Sequence, residues 1–105
     1  MNAMSDVQLA GRTWDTGTEL SVVIPLYNEH EVFALMHERI TAVLAGLGIR
    51  YELVLVDDGS QDGTSDAMER LARHDPAVTA VFLSRNFGKE AALTAGLAHA
   101  RGDAV

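Results

Sequence analysis

Leu20-Ser-Val-Val-Ile-Pro25 is a short β-branched run of the kind that fills a buried parallel strand. The period then changes. From Glu31 to Leu47 the apolar residues Val32, Met36, Ile40, Val43, Leu44 and Leu47 recur at helical spacing, while Glu31, Glu38 and Arg39 suit a solvent face. Asn28 is a suitable N-cap, Glu31 completes a capping-box-like pair with it, and Gly46 and Gly48 stop the helix. Tyr51-Glu-Leu-Val-Leu-Val56 repeats the strand signal. A second helix runs from about Thr64 to His74, with Met68, Leu71 and Ala72 inward, until Asp75-Pro76 breaks it. Val78 to Leu83 is a third strand. Phe87 or Gly88 to Ala100 is a third, Ala-rich helix with Leu93 and Leu97 as its large apolar contacts, and Gly102 to Val105 begins a fourth strand.

Strands alternating with helices predict an α/β fold with a parallel sheet, right-handed crossovers and helices on both faces. Residues 19–105 form that domain, and the 105-residue length leaves room for one small domain only. Met1 to Thr18 is polar and aperiodic and reads as a flexible leader, in which Trp14 docks loosely on the body or on a neighbouring chain.

Composition narrows the function classes. Eight Lys and Arg against fifteen acids give a formal net charge of −7, which supplies neither the basic face that nucleic acid requires nor a polybasic membrane patch. The chain has no cysteine, which excludes disulfides and thiolate metal sites and suits the cytoplasm. No apolar run approaches the roughly 18 residues of a spanning helix. His30, His37, His74 and His99 have no metal-ligand spacing, and no zinc, nucleophile-elbow or dinucleotide signature is present.

Ligands of open parallel sheets bind beyond the carboxyl ends of the strands. The first strand ends in Pro25-Leu-Tyr-Asn-Glu29, where Pro25 ends sheet pairing and Tyr27 offers a ring that either stacks on a base or simply packs. The second ends in Asp57-Asp58-Gly59-Ser60. Adjacent carboxylates there must be solvated, hydrogen-bonded or paired, and the plain alternative is a polar turn in which Asp62 or Thr64 caps the next helix. The segment lacks the Lys of a phosphate loop; it suits hydrogen bonds from a base edge or ribose better than direct contact with phosphate. The third ends in Leu83-Ser-Arg-Asn-Phe-Gly-Lys89. Here Arg85 and Lys89 stand beside a helix N-terminus, a combination that attracts phosphate oxygens, although exposed ion pairs would look the same.

Taken in series, Ser21-Val-Val-Ile-Pro-Leu-Tyr-Asn-Glu29, Leu53-Val-Leu-Val-Asp-Asp-Gly-Ser60 with Asp62-Gly-Thr64, and Leu83-Ser-Arg-Asn-Phe-Gly-Lys89 resemble the family 2 glycosyltransferases. The resemblance covers essentially all of residues 20–105. The continuation from Glu90 to Asp103 is most similar to the branch that glycosylates dolichol and undecaprenyl phosphates. It implies the N-terminal part of a three-layer α/β/α, Rossmann-like GT-A fold, and an inverting transferase that uses a UDP- or GDP-sugar donor at the cytoplasmic face of the membrane. Residue by residue, it places Pro25, Tyr27 and Glu29 along the nucleotide pocket and Val56 and Asp58 at the base, with Asp58 as hydrogen-bond acceptor. Asp57 matches a second acidic position, and Arg85 and Lys89 match a basic segment facing the donor diphosphate or the acceptor phosphate.

The family's Asp-x-Asp motif, which binds Mg²⁺ or Mn²⁺, is expected beyond Val105, so these residues are expected to hold no metal, carry no catalytic residue and support no transfer alone. The resemblance also sets the fourth strand beside the first, in the order 3-2-1-4. With only its start present, one edge of the first strand stays open, and self-association is expected. A stand-alone nucleotide-binding or regulatory module is the alternative. A reading frame continuing past Val105 into Asp-x-Asp distinguishes the two. A phosphoacceptor receiver domain would need an acceptor Asp after a later strand, which Leu83-Ser84 does not supply.

Overall fold

The computed structural model describes residues 17–102, 104 and 105, together with the backbone of Val7–Ala10. Its elements are β1 (Val7–Ala10), β2 (Leu20–Leu26), α1 (His30–Ala45), β3 (Tyr51–Asp57), α2 (Thr64–His74), β4 (Val78–Leu83) and α3 (Lys89–His99). Trp14 and Asp103 lie outside the described residues.

The sheet runs β1-β4-β3-β2. β2 and β3 pair in parallel from Leu20↔Tyr51 to Leu26↔Asp57, and β3 and β4 from Leu53↔Val78 to Asp57↔Phe82. All three strands therefore end at one level, which brings their following loops together. Ala104 bridges Leu20 in parallel, and Ser21 N–H donates to the Ala104 carbonyl at 2.8 Å. The fourth strand thus starts where it was expected, beside β2. The addition is β1, which lies within the stretch read as leader and pairs antiparallel with β4 from Val7↔Leu83 to Ala10↔Ala80. Backbone pairing at a sheet edge does not require the apolar alternation by which the other strands are recognised.

β3 is buried on both faces, which explains its unbroken apolar run. Leu53 and Leu55 face one layer, with Phe33 and Leu44 of α1, Met68 and Ala72 of α2, and Val78 and Ala80 of β4. Val54 and Val56 face the other, with Val81, Leu83 and Ala92 beneath α3.

Two helix faces differ from the spacing argument. α1 turns Phe33, Met36, Ile40 and Leu44 inward, leaving Val32, Leu35, Val43 and Leu47 exposed. α3 packs through Ala92 and Gly96, whereas Leu97 is exposed. A Cβ on Gly96 would stand 2.3 Å from Val23 Cγ1 and 2.8 Å from Val56 Cγ2, so the absent side chain sets the helix-to-sheet distance.

Candidate functional site

The carboxyl ends of β2, β3 and β4 carry three loops joined by a dense set of hydrogen bonds. Asn28 is at their centre. It adopts φ +52°, a left-handed conformation that asparagine tolerates better than most residues. Its N–H donates to Ser60 Oγ at 2.9 Å, and its Oδ1 accepts the Gln61 N–H at 2.8 Å. It is therefore not the N-cap of α1. That position falls to Glu29, whose side chain makes no capping bond. The start of α1 is held from the neighbouring loop, by Thr64 Oγ1 accepting Glu29 N–H at 3.0 Å and Asp62 Oδ2 accepting His30 N–H at 3.1 Å.

Asp62 also serves α2, its Oδ1 accepting both the N–H and the hydroxyl of Thr64. The Thr64 hydroxyl, ahead of the backbone donors of His30 and Thr64, holds the Asp62 carboxyl below its ordinary 3.8.

The acidic pair is spent inside the fold. Asp57 is 3% exposed; its Oδ1 accepts Ser60 N–H at 3.1 Å and its Oδ2 accepts the Ser65 hydroxyl. Asp58 is 4% exposed, and its carboxylate accepts Phe87 N–H at 2.8 Å and Gly88 N–H at 3.1 Å. Between them and the third loop there is no spare room. A Cβ on Gly59, at φ +78°, would stand 2.5 Å from Arg85 C and from Asn86 N.

Two clefts open on this platform. The larger, about 520 Å³, is lined by Tyr27, Asp57, Ser65, Glu69, Arg85 and Asn86 among others. The smaller, about 180 Å³, is lined by Pro25, Leu26, Tyr27, Glu29, Asp58 and Lys89. Tyr27 belongs to both and is 45% exposed, so its ring is available to a ligand. Arg85 stacks its guanidinium 4.9 Å from the Phe87 ring centroid. Pro25, Tyr27, Glu29, Asp57, Asp58, Arg85 and Lys89 are thus brought together. Val56 is not: its side chain is fully buried beneath α3 and lines neither cleft.

Ser60, Gln61, Ser65, Glu69 and Asn86 also line the larger cleft and were not singled out from the sequence. The Ser-Gln-Asp-Gly-Thr-Ser spacing from Ser60 to Ser65, rich in side chains that bond to nearby backbone, was the available signal. Among the described residues no group of three His, Cys, Asp or Glu is placed to hold a metal ion. The Asp57 and Asp58 oxygens already accept N–H and O–H donors, so the pair does not fit a divalent cation.

A parallel sheet with helices on both faces and ligand-lining loops at its carboxyl end defines an α/β, Rossmann-like domain of the GT-A type. Residues 21–105 match the glycosyl transferase family 2, and the chain belongs to that family. It is 45% identical over 87 residues to an undecaprenyl-phosphate 4-deoxy-4-formamido-L-arabinose transferase of Pseudomonas fluorescens, covering 82% of this chain and 26% of that one. The enzyme of the same name from Salmonella paratyphi A is 39% identical over 88 residues, which cover 83% of this chain and 27% of the relative. A mannosyltransferase from Pyrobaculum calidifontis, solved with GDP-mannose and Mn²⁺, superposes with a TM-score of 0.64 at 29% identity, over 85% of this chain and 28% of that one. The chain thus spans about a quarter of the length of these relatives.

Proposed function

We propose that residues 19–105 supply the donor-binding surface of an inverting glycosyltransferase. It takes a sugar from a UDP- or GDP-sugar and delivers it to a polyprenyl phosphate at the cytoplasmic face of the membrane. The observation that carries this reading is the convergence of three strand-end loops on Tyr27, which borders both clefts. A nucleotide base stacks on the Tyr27 ring, with Pro25 and Glu29 as the adjoining wall. Arg85 and Lys89 are exposed cations on the same face and suit the donor diphosphate or the acceptor phosphate. Asp57 and Asp58 shape the platform. The names of the relatives support a lipid-phosphate acceptor, and the bound ligands of the mannosyltransferase support a nucleotide-sugar donor with a divalent cation.

In such a transfer an acceptor phosphate oxygen bonds to the anomeric carbon as the bond to the donor diphosphate breaks. Negative charge then gathers on the leaving nucleotide. A Mg²⁺ or Mn²⁺ ion in the complete enzyme would offset that charge. The described residues do not fit such an ion, so residues 1–105 by themselves bind donor without transferring it.

Calorimetric titration of the chain with UDP, GDP and their sugars, with and without Mn²⁺, tests the reading. Saturable binding of one nucleotide series is expected. No heat from any of them at millimolar concentration would overturn it.

A further inference from the structure

The Asp58 carboxylate points away from both solvent and base. We infer that Asp58 is a positioning residue for the phosphate part of the donor, acting through the loop that carries Arg85 and Lys89. This inference rests on the nucleotide-sugar reading above.

Three observations converge on it. Both carboxylate oxygens are engaged by backbone donors of that loop, Phe87 N–H and Gly88 N–H, while the Asp58 N–H donates to the Leu26 carbonyl at 2.8 Å. Asp58 therefore joins all three strand-end loops through one buried residue. Next to it, Gly59 meets the Arg85 and Asn86 backbone with no room for a Cβ, so two consecutive residues clamp the loop. The third observation concerns α3. Its N-cap is Gly88, which has no side chain to cap with, and the missing acceptor is supplied by Asp58.

The consequence is electrostatic. The positive end of α3 is already matched by a fixed carboxylate. A diphosphate there gains little from the helix and must be held by the Arg85 and Lys89 side chains. Arg85 stacks on the Phe87 ring, and the Phe87 N–H is held by Asp58, so the guanidinium position depends on that bond. Lys89 opens α3 one residue after the other tethered amide and lines the small cleft with Asp58. A direct base contact would need an Asp58 oxygen turned to solvent, and the residue is 4% exposed.

The test divides the ligand. For whichever of UDP or GDP binds, affinities for the diphosphate and for its nucleoside are measured on the wild-type chain and on Asp58→Asn. Asparagine keeps one acceptor but points N–H₂ at the other amide. About a tenfold loss for the diphosphate is expected, a difference of ~1.4 kcal/mol, with less than about a twofold change for the nucleoside. The same substitution in an Arg85→Gln/Lys89→Gln background should cost almost nothing further. Equal losses for nucleoside and diphosphate, or full additivity, would make Asp58 a direct base ligand and overturn the inference while leaving the functional reading intact. A wild-type chain that binds neither nucleotide removes both. If Asp58→Asn does not fold, carbon and amide NMR of the wild type decides. Nucleoside should leave the Asp58 carboxyl resonance in place, whereas diphosphate should move the Phe87 and Gly88 amides. The opposite pattern overturns the inference.

Discussion

Gly59 and Gly48 share a left-handed backbone, at φ +78° and +68°, yet the structure gives them different consequences. Nothing lies within 4 Å of a Cβ on Gly48, so Gly48→Ala carries only the conformational penalty, about 1 kcal/mol. At Gly59 the same methyl would drive into the backbone of Arg85 and Asn86, which cannot rotate aside. Gly59→Ala should cost about 2–4 kcal/mol in urea unfolding, because strain and backbone displacement add. Equal losses at the two positions would show that the loops do not meet as described. Asp62 gives a residue-scale prediction in pH. Its folded-state pKa is depressed, chiefly by the Thr64 hydroxyl, so its contribution is complete above the ordinary 3.8 and is lost as pH falls through the lower folded value. Asp62→Asn should lower the melting temperature at neutral pH and flatten its decline on acidification below about pH 4. An unchanged acid profile would count against the shared cap.

The same contrast between chemistry and backbone decides what was legible at the level of elements. β2, β3 and β4 were readable because burial on both faces demands β-branched runs closed by turn residues. The site was readable for a related reason: parallel strands of matched register must end together, so Tyr27, Asp57 and Arg85 had to be neighbours. The inward face of α3 was not. Periodicity weights large apolar residues, and α3 meets the sheet through Ala92 and Gly96, where small size is what matters. Asn28 was misread because a capping residue and a left-handed loop residue have the same composition; which one forms depends on partners 32 and 33 positions away. Gly96→Ala tests the packing directly. Overpacking against Val23 and Val56 costs about 1–3 kcal/mol, of which alanine's better helix propensity offsets about 1. The chain should lose about 1–2 kcal/mol of stability, and a stabilised variant would contradict the contact.

For the molecule as a whole, the unequal edges of the sheet matter most. One edge is closed by β1 against β4, while β2 on the other has only the Ala104 bridge at Leu20 as a strand partner among the described residues. Beyond that bridge β2 continues to Leu26, and a groove of about 340 Å³ beside it is lined by Val22, Arg39, Ile40, Val43 and Leu44. The exposed Val43 and Leu47 of α1 extend the same apolar surface. Unpaired backbone next to exposed apolar side chains favours pairing with another strand. The net charge of −7 opposes close approach of two copies, but screening at physiological salt confines that repulsion to about 8 Å. A polypeptide of these 105 residues should therefore self-associate, with a weight-average mass in sedimentation equilibrium that rises with protein and salt concentration. Val43→Lys adds a charge where the side chain is 67% exposed, so it should weaken association about tenfold or more without lowering stability. A monomer at high concentration in both salt conditions would show that the edge is already protected.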